Sequence, residues 1–405
     1  MTRLLAHHRA TITILSLVAL LGNTACGEKS SGAAASGKPG SAGGDVSDSA
    51  RKAGGAAGTN GDASTAPASA SGVQALGADG KWIPANAGTP AAMSDEAERK
   101  AIEAAAGPLP QRARHDSVAL ASMTKPDSTL DKLWPVKNLP ANAPGALLPS
   151  HRIVAYYGNP LSKKMGVLGE YPKDQMLSML DKEVAKWAKA DPGHPVIPAL
   201  HMVVTVAQGD PGKNGLYRLQ MRDSLVNEIY SWAKARKGVF FVDVQVGMST
   251  IEAEIPRLGP ILANPDVHLA VDPEFSMKPS GAKPSTKIGT LDARDINWAI
   301  SFLDSIVRKN NLPPKILIVH RFTRKMVTNA NLIKPTRNVQ VVMDMDGWGP
   351  PWLKFDSYHD YIKKEPVQFT GFKLFYHNDT KSGASLLTPA EVLRLTPKPL
   401  YIQYQ

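Results

Sequence analysis

Cysteine is almost absent from this chain: Cys26 is the single one in 405 residues. No internal disulfide can form, so the folded part must hold together by core burial alone. Aromatic residues make up only 6% of the sequence, and no Lys/Arg block with interleaved aromatics accompanies the net charge of +11. That pattern argues against a nucleic-acid partner. The excess base reads as a solvated surface or as attraction to an anionic envelope. Long hydrophobic runs are missing as well. The apolar stretch Thr11–Gly22 is too short to span a bilayer. No G-x-G-x-x-G turn follows the first candidate strand, which removes the usual dinucleotide-binding fold.

The N-terminus carries an address. Arg3 and Arg9 flank a short basic region, Thr11–Gly22 reads as a secretory h-region, and Asn23-Thr24-Ala25-Cys26 follows. Small residues immediately before a cysteine at this place resemble a bacterial lipoprotein signal. The resemblance implies a signal peptide over 1–25 and lipidation of Cys26. The protein would then sit on the outer face of the bacterial cell membrane, lipid-anchored, or be secreted if Cys26 stays unmodified. Residues 26–75 are dominated by Gly, Ala and Ser, cannot bury enough apolar surface to offset chain entropy, and read as a disordered tether. Residues 76–150 form a Pro-rich lead-in, with one helix expected over Met93–Ala106 and the rest wrapped loosely around the domain.

From 151 to 405 short β-rich runs alternate with amphipathic stretches. Strands are expected at Ile153–Gly158, Ile197–Ala207, Val239–Gly247, Val267–Asp272, Lys315–His320, Val339–Asp346, Gly371–Tyr376 and Leu400–Tyr404. Helices at Pro172–Ala190, Met221–Lys237 and Asp292–Asn310 carry apolar residues at a period of 3.6. Shorter ones are expected at Ser357–Lys364 and Thr388–Leu395. Eight such units predict an α/β fold, a (β/α)8 TIM barrel, with a doubly wound sheet as the alternative.

Strand parity then places the chemistry. Side chains alternate faces along a strand. Leu200, Met202, Val204 and Val206 oppose His201, Val203 and Thr205, and Val242 and Val244 oppose Asp243 and Gln245. Leu317 and Val319 oppose His320, and Met343 and Met345 oppose Asp344 and Asp346. In Val267–Phe275 the apolar face opposes His268, Ala270, Asp272 and Glu274, with the two acids about 6.5–7 Å apart at standard strand rise. In a barrel these polar groups converge at the C-terminal mouth. Clustered carboxylates repel, so at least one holds its proton, as a general acid requires. Glu274, Asp272, Asp346 and Asp243 are the catalytic candidates. Tyr157, His201, Gln245, His320, Asp344, Trp348, Trp352 and Tyr376 are candidates for binding substrate, the aromatics by stacking on sugar rings. Each has a plainer reading. Asp272-Pro273 serves as a strand end and loop cap, His201 and His268 as core histidines, and His320-Arg321 as an ion pair with a mouth carboxylate.

Asp272-Pro273-Glu274 resembles the end of the signature of family-18 glycoside hydrolases, the chitinase-like barrels. Met343-Asp344-Met345-Asp346 is similar to that family's Met-x-Tyr-Asp, and Ala155-Tyr156-Tyr157-Gly158 to its first strand. The resemblance implies that Glu274 is the general acid and that Asp272 assists it. Val267 and Ala270 stand where the family has two further acids, and Met345 replaces its Tyr. Asp243-Val244-Gln245-Val246-Gly247 replaces a Ser-x-Gly-Gly. The expectation is a carbohydrate-active barrel whose partner is a sugar or cell-envelope glycan, with no cofactor. A non-catalytic glycan-binding or envelope lipoprotein on a degenerate barrel is the alternative. A metal-dependent hydrolase ranks third, since no His-x-His or similarly tight ligand spacing occurs.

Overall fold

Eight parallel strands close into a barrel in the computed structural model, which describes residues 127–405, a short ladder between Gln74–Leu76 and Trp82–Pro84, and positions 118 and 121. The expected signal peptide, Cys26, positions 26–73 of the tether expected over 26–75, and the helix expected over Met93–Ala106 lie outside the described residues. The barrel strands are β1 (Arg152–Gly158), β2 (Val196–Ala207), β3 (Val239–Val244), β4 (Val267–Val271), β5 (Lys315–Arg321), β6 (Val339–Met345), β7 (Phe369–Leu374) and β8 (Tyr401–Tyr404). Each pairs in parallel with its sequence neighbours, and β8 pairs with β1 through Tyr401↔Ile153 to Tyr404↔Tyr156. A doubly wound sheet has open edges and is excluded by this closure. Among the described residues no helix is long and apolar enough to cross a membrane.

Three full helices cover the outside. In α1 (Lys173–Ala190) Met176, Leu177, Leu180 and Trp187 are buried. In α2 (Asp223–Ala235) the buried residues are Val226, Ile229, Tyr230 and Ala233. The third, α3 (Ala293–Asn310), buries a longer stripe from Ile296 to Val307. Asp292 caps α3 in a capping box with Asp295, which satisfies orphan N–H groups at the helix start, and Asn311 ends it in the left-handed region. The other crossovers are short helical turns. The stretch expected at Ser357–Lys364 starts earlier, as α4 (Pro351–Ser357), and runs on as a π-helical segment over Tyr358–Lys363.

Two apolar layers result. The outward faces of the strands pack under the helices, and the inward faces fill the barrel with Ile153, Ala155, Phe241, Ala270, Ile318, Val342 and Tyr401 among others. One irregularity interrupts the parity. The register of β2 against β3 shifts by a residue between Val203 and Thr205. Beyond that bulge Thr205 takes a hydrogen bond from the Arg257 guanidinium instead of continuing the inward row.

The lead-in is not loosely wrapped where it is described. Leu148 is 1% exposed and belongs to the interior layer of the barrel. Its backbone N–H donates to Gln340 Oε1 (3.2 Å), and its carbonyl accepts from Gln340 Nε2 (2.6 Å). Ala143 N–H donates to Arg337 O, and Lys363 pairs with Asp131 at 2.7 Å. This strap seals the N-terminal end of the barrel, because an open end would leave the innermost apolar residues in water. The domain therefore begins before residue 151.

Candidate active site

The inward positions one step beyond the apolar filling carry the polar groups. Tyr157, His201, Asp243, Asp272, His320, Asp344, Lys373 and Gln403 each follow an inward apolar or glycine residue by two positions along the chain. They form one buried network. His201 Nε2 hydrogen-bonds Asp243 Oδ2 at 3.1 Å, and its Nδ1 faces Tyr401 OH at 2.6 Å and Gln403 Nε2 at 3.1 Å. His320 Nε2 stands 3.2 Å from Asp243 Oδ2, and its Nδ1 stands 3.3 Å from Asp344 Oδ2 and 3.2 Å from Asp346 Oδ2. Lys373 pairs with Asp346 Oδ1 at 2.8 Å and lies 3.8 Å from the centre of the Tyr157 ring.

Asp272 is both a cap and a member of this network. β4 ends at Val271, and Pro273–Phe275 forms a 3-10 turn whose first amides are free. Asp272 Oδ1 accepts from Glu274 N–H at 3.1 Å, while Oδ2 accepts from Gln245 Nε2 at 3.1 Å. The extended spacing expected between Asp272 and Glu274 is thus replaced by a turn, since proline cannot continue the ladder. β3 and β6 likewise stop at Val244 and Met345, so Gln245 and Asp346 lie just beyond the strand ends. Gln245 is held by the Ala207 amide at 3.2 Å and reaches Tyr157 OH at 3.4 Å. Glu274 is half-buried, and among the described residues its carboxylate has no hydrogen bond or ion pair.

Burial and charge split the acids into two groups. Burial raises Asp272 to about 7, and the neighbouring Asp243 and Asp346 add to that against the attraction of His320 and Lys373. Burial and the Asp272 and Asp346 charges push Glu274 upward too, with part of the effect screened where Glu274 meets solvent. Burial also lifts Asp344, although His320 opposes it. Burial would raise Asp243 as well, but the His320 charge and the His201 hydrogen bond outweigh it and hold its carboxyl below the ordinary range. Asp346 is held low against burial by Lys373 and His320. Burial lowers His201 to about 4 despite Asp243, leaving a neutral imidazole. Burial disfavours charge on His320 too, yet the Asp346 and Asp243 charges raise it well above the ordinary value.

The aromatic candidates divide. Trp348 is half-buried on the loop after β6, where Lys381 lies 5.7 Å from its ring centre. Asp379 fixes that loop by accepting from Gly349 N–H (2.9 Å), Phe375 N–H (2.9 Å) and Lys354 Nζ (3.2 Å). Trp352 is carried on α4 instead of the loop. Tyr376 is not brought to the mouth. It hydrogen-bonds Tyr156 OH at 2.9 Å and stacks on Tyr404 at 5.2 Å, both on outward faces of their strands. Its place beyond β7 continues the outward parity of Phe372 and Leu374, which is why it joins the outer layer.

His268 sits in the barrel interior with Nδ1 accepting from Ile316 N–H at 3.2 Å, away from the cluster. The His320-Arg321 pair separates. His320 meets the mouth carboxylates, whereas Arg321 points outward to Glu365 (2.7 Å) and neighbouring carbonyl groups. Lys373, Tyr401 and Gln403 were missed from sequence. The same parity argument, extended to β7 and β8, places all three on the inward face.

No protein-family profile and no curated protein matches this chain. Among solved structures it is similar to a ruminal GH26 endo-beta-1,4-mannanase at 12% identity and a TM-score of 0.33, over 69% of this chain and 65% of that one. It therefore spans just under two thirds of the mannanase's length. It is also similar to a GH5-4 broad specificity endoglucanase from an uncultured bacterium (9% identity, 55% of this chain and 77% of that one, TM-score 0.30). A third likeness is to XEG5A, a GH5 xyloglucan-specific endo-beta-1,4-glucanase from a metagenomic library (13% identity, 71% and 88%, TM-score 0.30). At these scores the likenesses add nothing to the barrel that the strand register already establishes.

Proposed function

We propose that the barrel is a glycoside hydrolase working on an extracytoplasmic glycan, held at the membrane through lipidated Cys26. Glu274 is the general acid in this reading, burial and the neighbouring charge of Asp272 raise its proton affinity, and Asp346 is the ionised carboxylate. The observation that carries the reading is the placement of these acids at the C-terminal ends of β4 and β6, in environments that favour opposite protonation states. Burial and like charge favour the protonated forms of Asp272 and Glu274, while Lys373 and His320 favour the anion of Asp346. Glycosidic bond cleavage needs one carboxylic acid to protonate the leaving oxygen and one carboxylate to support an oxocarbenium-like transition state. Asp243, fully enclosed between two histidines, serves as an internal counter-ion and not as the attacking group.

One observation favours a second reading, a non-catalytic glycan binder. Most of the cluster is closed off, and chiefly Glu274 among the acids meets solvent. A screen of the full chain against chromogenic glycosides and envelope polysaccharides, beside Glu274→Gln, separates the two. Removing a general acid costs about 10²–10⁴ in rate. Turnover that falls by that factor supports the enzyme, and glycan binding without turnover in either protein supports the binder. Equal turnover in both removes Glu274 from the chemistry. Release of a Cys26→Ser variant from the membrane fraction tests the anchor.

A further inference from the structure

The floor of the mouth has a property that sugar chemistry does not call for. His201 Nε2 and His320 Nε2 approach the same oxygen, Asp243 Oδ2, at 3.1 and 3.2 Å. One donor atom from each of these three residues lies within 4.8 Å of the others, and all three side chains are fully buried. Donors bound to one tetrahedral ion at about 2.0–2.1 Å stand about 3.4 Å apart. Both nitrogen–oxygen separations fall a few tenths of an ångström short of that, so a small outward movement of the rings would admit an ion.

The surroundings match what such ligands need. A metal-bound histidine is oriented by a partner on its other ring nitrogen. His201 Nδ1 has Tyr401 OH and Gln403 Nε2, and His320 Nδ1 has the carboxylates of Asp344 and Asp346. A second observation concerns how the ligand atoms are satisfied. On the side facing Asp243, His320 Nε2 makes no directed hydrogen bond, although the side chain is wholly buried. Asp243 Oδ1 is also without one among the described residues. Buried polar atoms left this way are costly, and a bound ion is one of their few remedies. As metal ligands both histidines are neutral imidazoles, and the ion then supplies the positive charge that faces the carboxylates of Asp243, Asp344 and Asp346.

We propose that His201, Asp243 and His320 bind one divalent transition-metal ion of the zinc class at the base of the barrel mouth. Two imidazoles and one carboxylate favour zinc, cobalt, nickel or iron over magnesium or calcium, which take oxygen ligands. Three protein ligands leave a coordination position for water or a substrate oxygen. No local motif announces the site because its ligands come from β2, β3 and β5, each on a different part of the chain. The proposal stands whether or not the mouth cleaves sugars.

The test is titration of the chelator-stripped full chain with zinc chloride by calorimetry, and with cobalt chloride by visible absorption. One equivalent bound with micromolar or tighter affinity, with cobalt d–d bands of an N/O site, is expected. Asp243→Asn and His320→Gln should each weaken binding at least ten-fold. His268→Ala, which alters a buried histidine outside the cluster, should leave it unchanged. Absence of binding by the unmodified protein overturns the proposal without reference to any variant's folding. Undiminished binding in folded Asp243→Asn and His320→Gln overturns it as well, by placing the ion elsewhere.

Discussion

Asp272 gives the sharpest quantitative expectation. It is 3% exposed, and its carboxyl is pushed up to about 7 from an ordinary 3.8, first by burial and then by neighbouring acids. Between those values the folded chain holds a proton that the unfolded chain has released. Stability then falls as pH rises, beginning near the unfolded value and ending once pH passes about 7. At about 1.4 kcal/mol per unit the full effect is about 4 kcal/mol, of which about 2.5 kcal/mol falls between about pH 5 and pH 8. Asp272→Asn removes the titration and keeps the shape. The amide can accept from only one of the two donors, Gln245 Nε2 and Glu274 N–H, which costs about 1 kcal/mol at every pH. The variant should therefore start lower at acid pH and lose far less stability as pH rises. Urea unfolding across that range, read by far-UV circular dichroism with linear extrapolation, measures both curves. Relief of Glu274 by the lost Asp272 charge acts in the same direction. Parallel curves for the two proteins would refute the assignment of a buried proton to Asp272.

Two structural expectations accompany it. Leu148→Ala empties the seal under the barrel and should cost about 2–5 kcal/mol in denaturant unfolding, while the backbone bonds to Gln340 keep the strap docked; a loss below about 1 kcal/mol would mean the seal is dispensable. Gly371→Ala drives a methyl against Asp344 Oδ1 and to 3.0 Å from the Tyr401 ring, so overpacking should lower stability by about 1–3 kcal/mol. An unchanged unfolding midpoint there would contradict the close approach of β7 to the acid cluster.

The barrel was legible because its strands announce themselves twice. Alternation marks the inward and outward faces, as in Leu317 and Val319 against Ile318 and His320, and the intervening helices repeat at 3.6. Strand ends were less legible. Asp272-Pro273 closes β4 with a turn, and sequence alone does not say whether an acid after the last alternating residue extends the strand or caps the next turn. Here Asp272 does the second while still facing the mouth. Parity beyond Val203 failed because a bulge leaves no composition signal in a run of Val and Thr. The ring chemistry of Tyr376 points to the mouth and its parity points outward, and parity prevails. The strap through Leu148 was invisible, since a Pro-rich segment shows no period from which docking can be read.

The same strap bears on how the chain reaches its folded state. Leu148 and its partner Gln340 are separated by 192 residues, and β1 closes the barrel only against β8, the last strand. During synthesis the N-terminal piece of the seal emerges long before either partner exists. Contacts of such sequence separation carry a large loop-closure entropy and slow folding. Until β6 to β8 are present, β1 to β5 cannot close a barrel, and β1 has no partner on its β8 side. Both the seal through Gln340 and the closure through β8 therefore depend on the final third of the chain.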